Sequence, residues 1–153
     1  MNNVEAMALA LKVADDGSMT SGDVPVGAIL LNSAGEVVAI GTNERELHND
    51  PTAHAEIVAI RIAAEKTGSW RLDDHTLVVT LEPCAMCAGA ISQARIPRLV
   101  FGAWDAKAGA VGSVWDVLRD PRSLHPIEIT GGVLEDECSK LLKRFFEGHR
   151  ERK

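Results

Sequence analysis

The chain of 153 residues is 46% apolar and 25% charged, which is the ordinary composition of a globular protein and predicts one domain spanning residues 1–153. Its least polar stretches fall short of the roughly 18 apolar residues that a membrane span requires, so no membrane partner is expected. The formal net charge of −6 argues against general, charge-driven binding of nucleic acid.

The C-terminal segment and the cysteines are the two compositional features that stand apart. Six basic and two acidic residues lie between Lys140 and Lys153, a pattern typical of a solvated helix end. The N-terminal residues lack the pattern of a secretory signal. Three cysteines, two of them three residues apart, do not make a disulfide framework. We therefore expect a reduced, cytoplasmic protein whose thiols bind metal or perform chemistry.

The first half of the chain predicts a helix, a hairpin and a second helix. Apolar residues recur at helical spacing over 4–14, and Gly17 is expected to end that helix. Two apolar runs, 26–31 and 36–41, flank a turn and predict a β-hairpin. The composition of the segment from His54 to Lys66 predicts a helix that ends at the glycine two residues later.

The second half predicts alternating strands and helices. Short apolar runs predict a buried strand at 76–81, a strand at 98–102 and an edge strand at 127–130. Helices are predicted at 84–95 and 135–146. A hairpin followed by this alternation indicates an α/β domain with a mixed sheet. The polar segments 42–51 and 105–112 are expected to be loops that line the functional site.

Two short motifs carry candidate chemistry, and each lies where a helix is predicted to begin. The first contains His54 and Glu56; alone, such a pair is common, and a structural histidine is the usual explanation. The second, Pro83-Cys84-Ala-Met-Cys87, places two thiols at i and i+3 in the first turn of a helix. Free backbone N–H groups and the positive end of the helix dipole stabilise thiolate there, which is the form that zinc binds.

The cysteine pair is compatible with a redox dithiol, half of a structural zinc site, or two ligands of a catalytic zinc site. A redox pair would leave His54 and Glu56 without a role. A structural site needs four protein ligands, and the third thiol, Cys138, is expected to be a small buried residue of the last helix. His54, Cys84 and Cys87 make three ligands, which leaves a fourth tetrahedral position for water.

Glu56 then has a chemical role beside the metal. In a regular helix, residues i and i+2 face different ways, so His54 and Glu56 converge only at the very start of a helix. A carboxylate that does not bind the metal can take a proton from the activated water and return it to the substrate. His-x-Glu followed by Pro-Cys-x-x-Cys is the known signature of zinc deaminases.

The similarity to one family extends well beyond these ligands. From about Val24 to Phe146 the chain resembles the bacterial tRNA-specific adenosine deaminases, within the zinc-dependent cytidine/deoxycytidylate deaminase superfamily. The matching segments are Pro25–Ile29, Asn43, Asp50–Ile57, Thr80–Ala90 and Phe101–Gly109.

The resemblance implies a cytidine-deaminase-like three-layer α/β/α fold with a five-stranded mixed sheet, one zinc ion per chain and a homodimer. It implies hydrolytic deamination of adenosine to inosine at the wobble position of a tRNA anticodon stem-loop, typically that of an arginine tRNA. His54, Cys84 and Cys87 would hold zinc, and Glu56 would be the catalytic proton shuttle. The other implied substrate-binding residues are Val26, Asn43, Ala55, Asp105 and Lys107.

The chain departs from the family at two places. Trp104 stands where arginine is frequent, which removes a candidate phosphate contact. The pair Phe145 and Phe146 is followed by Glu147 and Gly148 instead of a cluster of arginines. By default the two phenylalanines are core or interface residues, and stacking on RNA requires that they be exposed.

Two other functions share part of this pattern. A deaminase of free bases or nucleosides, such as guanine or cytosine, would carry the same zinc motif. A zinc-stabilised binding module without activity would need a closed site of four ligands and would not depend on the carboxylate of Glu56.

Overall fold

The computed structural model describes residues 1–151, with side chains described up to residue 148. Part of the basic segment predicted at the C-terminus, namely the side chains of Arg150, Arg152 and Lys153, lies outside this description. Within the described residues, no helix is both long enough and apolar enough to cross a membrane.

Five strands form one mixed sheet, which confirms the predicted hairpin, buried strand and edge strand. The strands are β1 Gly27–Leu31, β2 Val37–Thr42, β3 Thr76–Leu81, β4 Arg98–Ala103 and β5 Glu128–Thr130. Their order in the sheet is β2-β1-β3-β4-β5. Strand β1 is antiparallel to both of its neighbours, whereas β3, β4 and β5 are parallel.

Helices cover both faces of this sheet and give the three-layer α/β/α architecture. The helices are α1 Asn3–Ser21, α2 Arg45–His48, α3 Ala55–Thr67, α4 Ala85–Gln93 and α5 Glu135–Glu151. Alternate residues of strand β1 pack on opposite faces of the sheet. Ala28 and Leu30 belong to the core that α3 and α4 cover. Ile29 and Leu31 belong to the core that α1 and α5 cover. Because both faces are covered, the strand is apolar without alternation.

The prediction that Gly17 ends the first helix is wrong. Helix α1 continues to Ser21 and is closed by Gly22, whose φ of 78° lies in the left-handed region. A Cβ atom at Gly17 would overlap Cγ2 of Thr42 on β2. Glycine is therefore needed at this position because the helix packs closely on the sheet, and not because the chain turns there.

The segment 42–51 was expected to be a loop, and this is wrong over one helical turn, α2. The backbone N–H of Glu46 in α2 donates to Oδ1 of the buried Asp23, at 3.1 Å. A carboxylate 23 residues away in sequence thus caps the turn. The composition of the segment itself therefore could not predict this helical turn.

Two glycine-to-alanine exchanges in helices should have opposite effects on stability. Gly17→Ala should lower the free energy of unfolding by about 1–3 kcal/mol, because the added methyl group overpacks the contact with Thr42. Gly89→Ala in α4 should raise it by up to about 1 kcal/mol, because nothing lies within 4 Å of the new Cβ and alanine favours helix. Denaturant unfolding measures both changes, and a stabilising Gly17→Ala would show that the contact relaxes freely.

Candidate active site

The two sequence motifs meet because each occupies the start of a helix. His54 is the N-cap residue of α3 and Cys84 is the N-cap residue of α4, and both have extended backbone. The imidazole of His54 makes no capping hydrogen bond to its own helix, so it is available to a shared site. Cys87 lies in the first turn of α4 and is fully buried. The predicted placement of both motifs at helix starts is confirmed.

The three side chains fit a tetrahedral zinc ion. Nδ1 of His54 lies 3.6 Å from Sγ of Cys84 and 3.5 Å from Sγ of Cys87, and all three atoms lie within 4.8 Å of one another. Zinc bonds of about 2.0 Å to nitrogen and about 2.3 Å to sulfur at the tetrahedral angle place N and S roughly 3.6 Å apart. The spacing of the donor atoms therefore matches the metal, and one imidazole with two thiols is a donor set typical of zinc. Cys138 lies apart in the core between α1 and α5, buried as predicted.

A short turn holds His54 in position. The carboxylate of Asp50 accepts hydrogen bonds from the backbone N–H of Thr52 at 2.9 Å and from its hydroxyl at 2.7 Å. These bonds lower the pKa of Asp50. The N–H of His54 donates to the carbonyl of Thr52, and the N–H of Val58 donates to the carbonyl of His54, which starts α3. The residues before the helix thus fix the direction of the imidazole.

The two thiols shift each other's pKa in opposite directions. A hydrogen bond from Cys87, together with the nearby His54, lowers the pKa of Cys84 to about 3. The same bond and the burial of its sulfur raise the pKa of Cys87. The hydrogen bond with Cys84 also raises the pKa of His54. Cys84 is therefore a thiolate at neutral pH, stabilised further by the N-terminus of α4.

Glu56 lies in the first turn of α3 with only 4% of its surface exposed. Burial raises the pKa of its carboxyl group, and the group interacts with both His54 and Cys87. A buried carboxyl beside three metal ligands, but not one of them, can hold or release a proton at the metal.

A cavity of about 170 Å³ opens over these residues. Its wall contains most of the predicted site, and the predicted loops 42–51 and 105–112 both contribute to it. The predicted residues that line it are Val26, Asn43, His54, Ala55, Glu56, Cys84 and Asp105. Lys107 does not line this cavity but a neighbouring groove.

Two charged residues of the cavity wall are absent from the sequence-based prediction. Arg45 is exposed at the first residue of α2, and no ion pair with it is found among the described residues. Glu82 follows β3 and is 2% exposed. In the sequence, Glu82 is indicated only by its position directly before the Pro-Cys motif. Nothing in the sequence indicates Arg45 except that it lies in a polar segment.

Glu82 binds the loop that closes one side of the cavity. Its carboxylate accepts from the backbone N–H of Asp105 at 2.9 Å, of Val111 at 3.0 Å and of Ser113 at 3.1 Å, and from the hydroxyl of Ser113. Burial raises the pKa of Glu82, but these four hydrogen bonds outweigh it and hold the pKa below the usual range. The carboxylate packs against Gly109, where any Cβ atom would overlap it. The loop is therefore fixed by a buried charge.

Asn43 and Asp105 each combine a turn hydrogen bond with a position in the cavity wall. The Asn43 side-chain oxygen accepts from the N–H of Arg45 at 3.3 Å, which leaves its amide N–H₂ without a partner among the described residues. The Asp105 carboxylate accepts from the N–H groups of Lys107 and Ala108 at 3.0 and 3.2 Å. Asn43 is thus both a turn residue and a hydrogen-bond donor facing the site.

Comparison with known proteins gives a consistent picture. A family model of the cytidine and deoxycytidylate deaminase zinc-binding region matches residues 1–103. A tRNA-specific adenosine deaminase of Haemophilus influenzae is 48% identical over 147 residues, covering 96% of this chain and 84% of that protein. A solved structure from a study of A-to-I editing by tRNA:A34 deaminases superimposes with a TM-score of 0.84 at 44% identity, covering 90% of this chain and 98% of the other.

One solved structure represents a different substrate class on the same fold. A guanine deaminase of Bacillus subtilis superimposes with a TM-score of 0.67 at 31% identity, covering 99% of this chain and 95% of the other.

Replacing the buried carboxylate of Glu82 should loosen the loop without removing the metal ligands. Glu82→Gln should lower the free energy of unfolding by about 1–3 kcal/mol, because an amide N–H₂ would then face backbone N–H donors. Amide hydrogen exchange of Val111 and Ser113 should also become faster. Glu36→Gln, at an exposed position of the hairpin, is the matched control and should change neither quantity.

The zinc content of variants distinguishes the two cysteines of the candidate metal cluster from Cys138. Cys84→Ser should abolish stoichiometric zinc binding, because it removes one of the three clustered donors. Cys138→Ser should leave one zinc per chain, because this thiol lies in a separate part of the core. Elemental analysis of the purified variants gives both numbers. Loss of zinc from Cys138→Ser would instead support a structural site that includes the third thiol.

Proposed function

The chain belongs to the family of the cytidine and deoxycytidylate deaminase zinc-binding region, and we propose that it hydrolyses adenosine to inosine at the wobble position of tRNA anticodons. The observation that carries the proposal is the buried Glu56 carboxyl beside His54, Cys84 and Cys87, at the inner end of an open cavity. A closed binding module would fill its fourth metal position with protein, and no fourth His, Cys, Asp or Glu ligand joins the cluster among the described residues.

His54, Cys84 and Cys87 would hold the zinc ion, which would supply Lewis acidity and lower the pKa of a water molecule toward neutrality. Glu56 accepts the proton that the attacking water releases. The same carboxyl then gives this proton to N1 of the adenine, takes the second proton from the new hydroxyl on C6, and delivers it to the amine that leaves C6. One C–O bond forms, one C–N bond breaks, and the products are inosine and ammonia.

The cavity wall supplies the contacts that orient the base. Val26 and Ala55 are apolar and bound the space in front of Glu56. The free amide N–H₂ of Asn43 can donate to a ring nitrogen of the purine. Asp105 shapes the opposite wall through its turn, and Arg45 offers a cation to a phosphate at the cavity mouth.

The extent of similarity supports tRNA over a free base as the substrate. The Haemophilus influenzae relative, whose described substrate is tRNA, is 48% identical over nearly the whole chain, whereas the guanine deaminase is 31% identical. Deamination of a free base is the second candidate, since a cavity of about 170 Å³ encloses little more than one base.

The resemblance supports three finer inferences. The anticodon is that of an arginine tRNA, and the enzyme acts as a homodimer in the cytoplasm. Val114, Trp115 and Leu124 are exposed apolar residues that a second copy would cover. The three cysteines are free, which suits a reducing compartment.

Removal of the proton carrier should stop turnover and leave the fold intact. Glu56→Gln should lower kcat by at least about 10²–10⁴-fold, because the amide cannot transfer the proton. Zinc content and the unfolding transition should match those of the unmodified chain. Glu65→Gln, an exposed change on the same helix, is the control and should retain full activity. A Glu56→Gln enzyme near the original rate would contradict the mechanism.

A product assay tests the substrate. Zinc-loaded protein receives an anticodon stem-loop with adenosine at the wobble position, and separately free adenosine, guanine and cytosine. We expect inosine in the stem-loop and no change in the small molecules. Ammonia from a free base, with the RNA unchanged, would leave the roles of Glu56 and the zinc ligands in place and reject tRNA as the substrate.

A further inference from the structure

Part of the cavity wall depends on a helix that is too short to be stable alone. Asn43 and Arg45 line the cavity at the start of α2. This helix has four residues, none of them buried, so apolar packing contributes little to its position. Its N-cap residue, Glu44, makes no capping hydrogen bond through its side chain. The first backbone N–H groups of α2 therefore need acceptors from elsewhere.

Two other side chains accept from neighbouring N–H groups in the first turn of α2. Oδ1 of Asn43 accepts from the N–H of Arg45 at 3.3 Å, and Oδ1 of Asp23 accepts from the N–H of Glu46 at 3.1 Å. A hydrogen bond to an ionised acceptor is roughly twice as strong as one between neutral groups. The carboxylate of Asp23 therefore makes the stronger of the two side-chain bonds that fix the start of α2.

The backbone of Asp23 is itself held from both sides. Its N–H donates to the hydroxyl of Ser21 at 3.1 Å, and its carbonyl accepts from the hydroxyl of Ser18 at 2.6 Å. Both serines lie in the last turn of α1, which is a long helix packed on the sheet. The carboxylate thus reaches α2 from a rigid part of the fold.

Asp23 also connects two parts of the cavity wall. Val24 and Val26 follow it directly in the chain and line the cavity. Its carboxylate fixes α2, at whose start Asn43 and Arg45 line the same cavity. The distance between the apolar valines and the polar Asn43 is therefore set in part by one hydrogen bond.

The carboxylate of Asp23 is poorly suited to a role in stability alone. Asp23 is 4% exposed, and its Oδ2 is buried without a hydrogen-bond partner among the described residues. Burial of a charge is unfavourable unless its hydrogen-bonding capacity is satisfied. The one side-chain hydrogen bond found for it goes to the cavity wall. This combination favours a role in the geometry of the site.

We propose that Asp23 is a positioning residue for deamination, which holds α2 so that the amide N–H₂ of Asn43 meets the base in the cavity. The inference rests on the proposed function, since it assigns the base to the amide of Asn43. Asp23 does not line the cavity and acts through Asn43. The amide contacts the base both before and during the reaction, so its displacement should raise KM and leave kcat nearly unchanged.

Amide hydrogen exchange measures the hydrogen bond itself. In Asp23→Ala the N–H of Glu46 should exchange about ten-fold faster or more, because it loses a charged acceptor. Asp23→Asn should keep most of the protection, because its side-chain oxygen still accepts. Asp15→Ala, which removes an exposed carboxylate from α1, is the control and should leave this exchange rate unchanged. Unchanged exchange in Asp23→Ala would overturn the proposal.

Steady-state kinetics test the positioning role. Asp23→Ala should raise the KM for the anticodon stem-loop by about ten-fold and keep kcat within about two-fold. Asp23→Asn should keep KM within about two-fold, and Asp15→Ala should leave it unchanged. Zinc content should stay at one per chain in all three variants. A lower kcat at unchanged KM in Asp23→Ala, or an equal rise of KM in Asp15→Ala, would contradict the assignment.

A double-mutant cycle tests whether Asp23 acts through Asn43. Asn43→Ala alone should raise KM, because it removes the amide. Adding Asp23→Ala to Asn43→Ala should raise KM no further, because no amide remains to be positioned. Additive increases would show another route and overturn the proposal. Asp23→Leu, which has a side chain of similar length without an acceptor, replaces Asp23→Ala in every measurement if the alanine variant does not fold.

Failure of the proposed function is distinguishable from failure of this inference. If the unmodified chain deaminates a free base and not the stem-loop, the cycle is measured with that base. A raised KM in Asp23→Ala would then reject tRNA as the substrate and keep the positioning role. Editing of the stem-loop with an unchanged KM in Asp23→Ala would keep the proposed function and reject the role of Asp23.

Discussion

The chemistry depends on two helices that begin at the same edge of the sheet. Strands β2 and β3 are both antiparallel to β1, so they run in the same direction and deliver the chain to the same edge. Helix α3 follows β2 after the single turn α2, helix α4 follows β3 directly, and both α3 and α4 pack on one face. Their N-terminal residues, His54 and Cys84, therefore converge from segments 30 residues apart. Two positive helix ends directed at one point favour the thiolate and the anionic species formed during hydrolysis.

The loop that completes the cavity is held by charge more than by apolar packing. The buried carboxylate of Glu82 gathers three backbone N–H groups and one hydroxyl from residues 105–113. The N–H of Ala110 also donates to the carbonyl of Pro83, directly before the ligand Cys84. The same short segment, 82–84, thus positions a candidate metal ligand and one wall of the cavity together. A displacement of the loop would move both sides of the cavity.

Sequence periodicity and local chemistry were sufficient for most of the fold and for the three residues that cluster as a candidate metal site. The run Thr76–Leu81 is uncharged and β-branched, and the structure has a strand with those bounds. His54 and Cys84 carried a chemical signature whose meaning does not depend on distant contacts. The predictions failed for Gly17, α2 and Glu82 for the same reason. The structure at each of these places depends on a residue far away in the sequence. Thr42, Asp23 and the N–H groups of residues 105–113 supply those partners. Composition in a local window contains no information about them.

Two neighbouring depressions lie at the candidate site, the cavity of about 170 Å³ and a groove of about 410 Å³. The cavity of about 170 Å³ is lined by apolar and hydrogen-bonding groups that suit a single base, and these features are compatible with deamination of a free base too. Specificity for a polynucleotide must therefore come from surfaces outside the cavity. The loop 104–108 connects the two regions, because its residues alternate between them. The loop is held by Glu82 through the N–H of Asp105 and by the packing of Trp104 on Phe101, so the two regions keep a fixed position relative to each other.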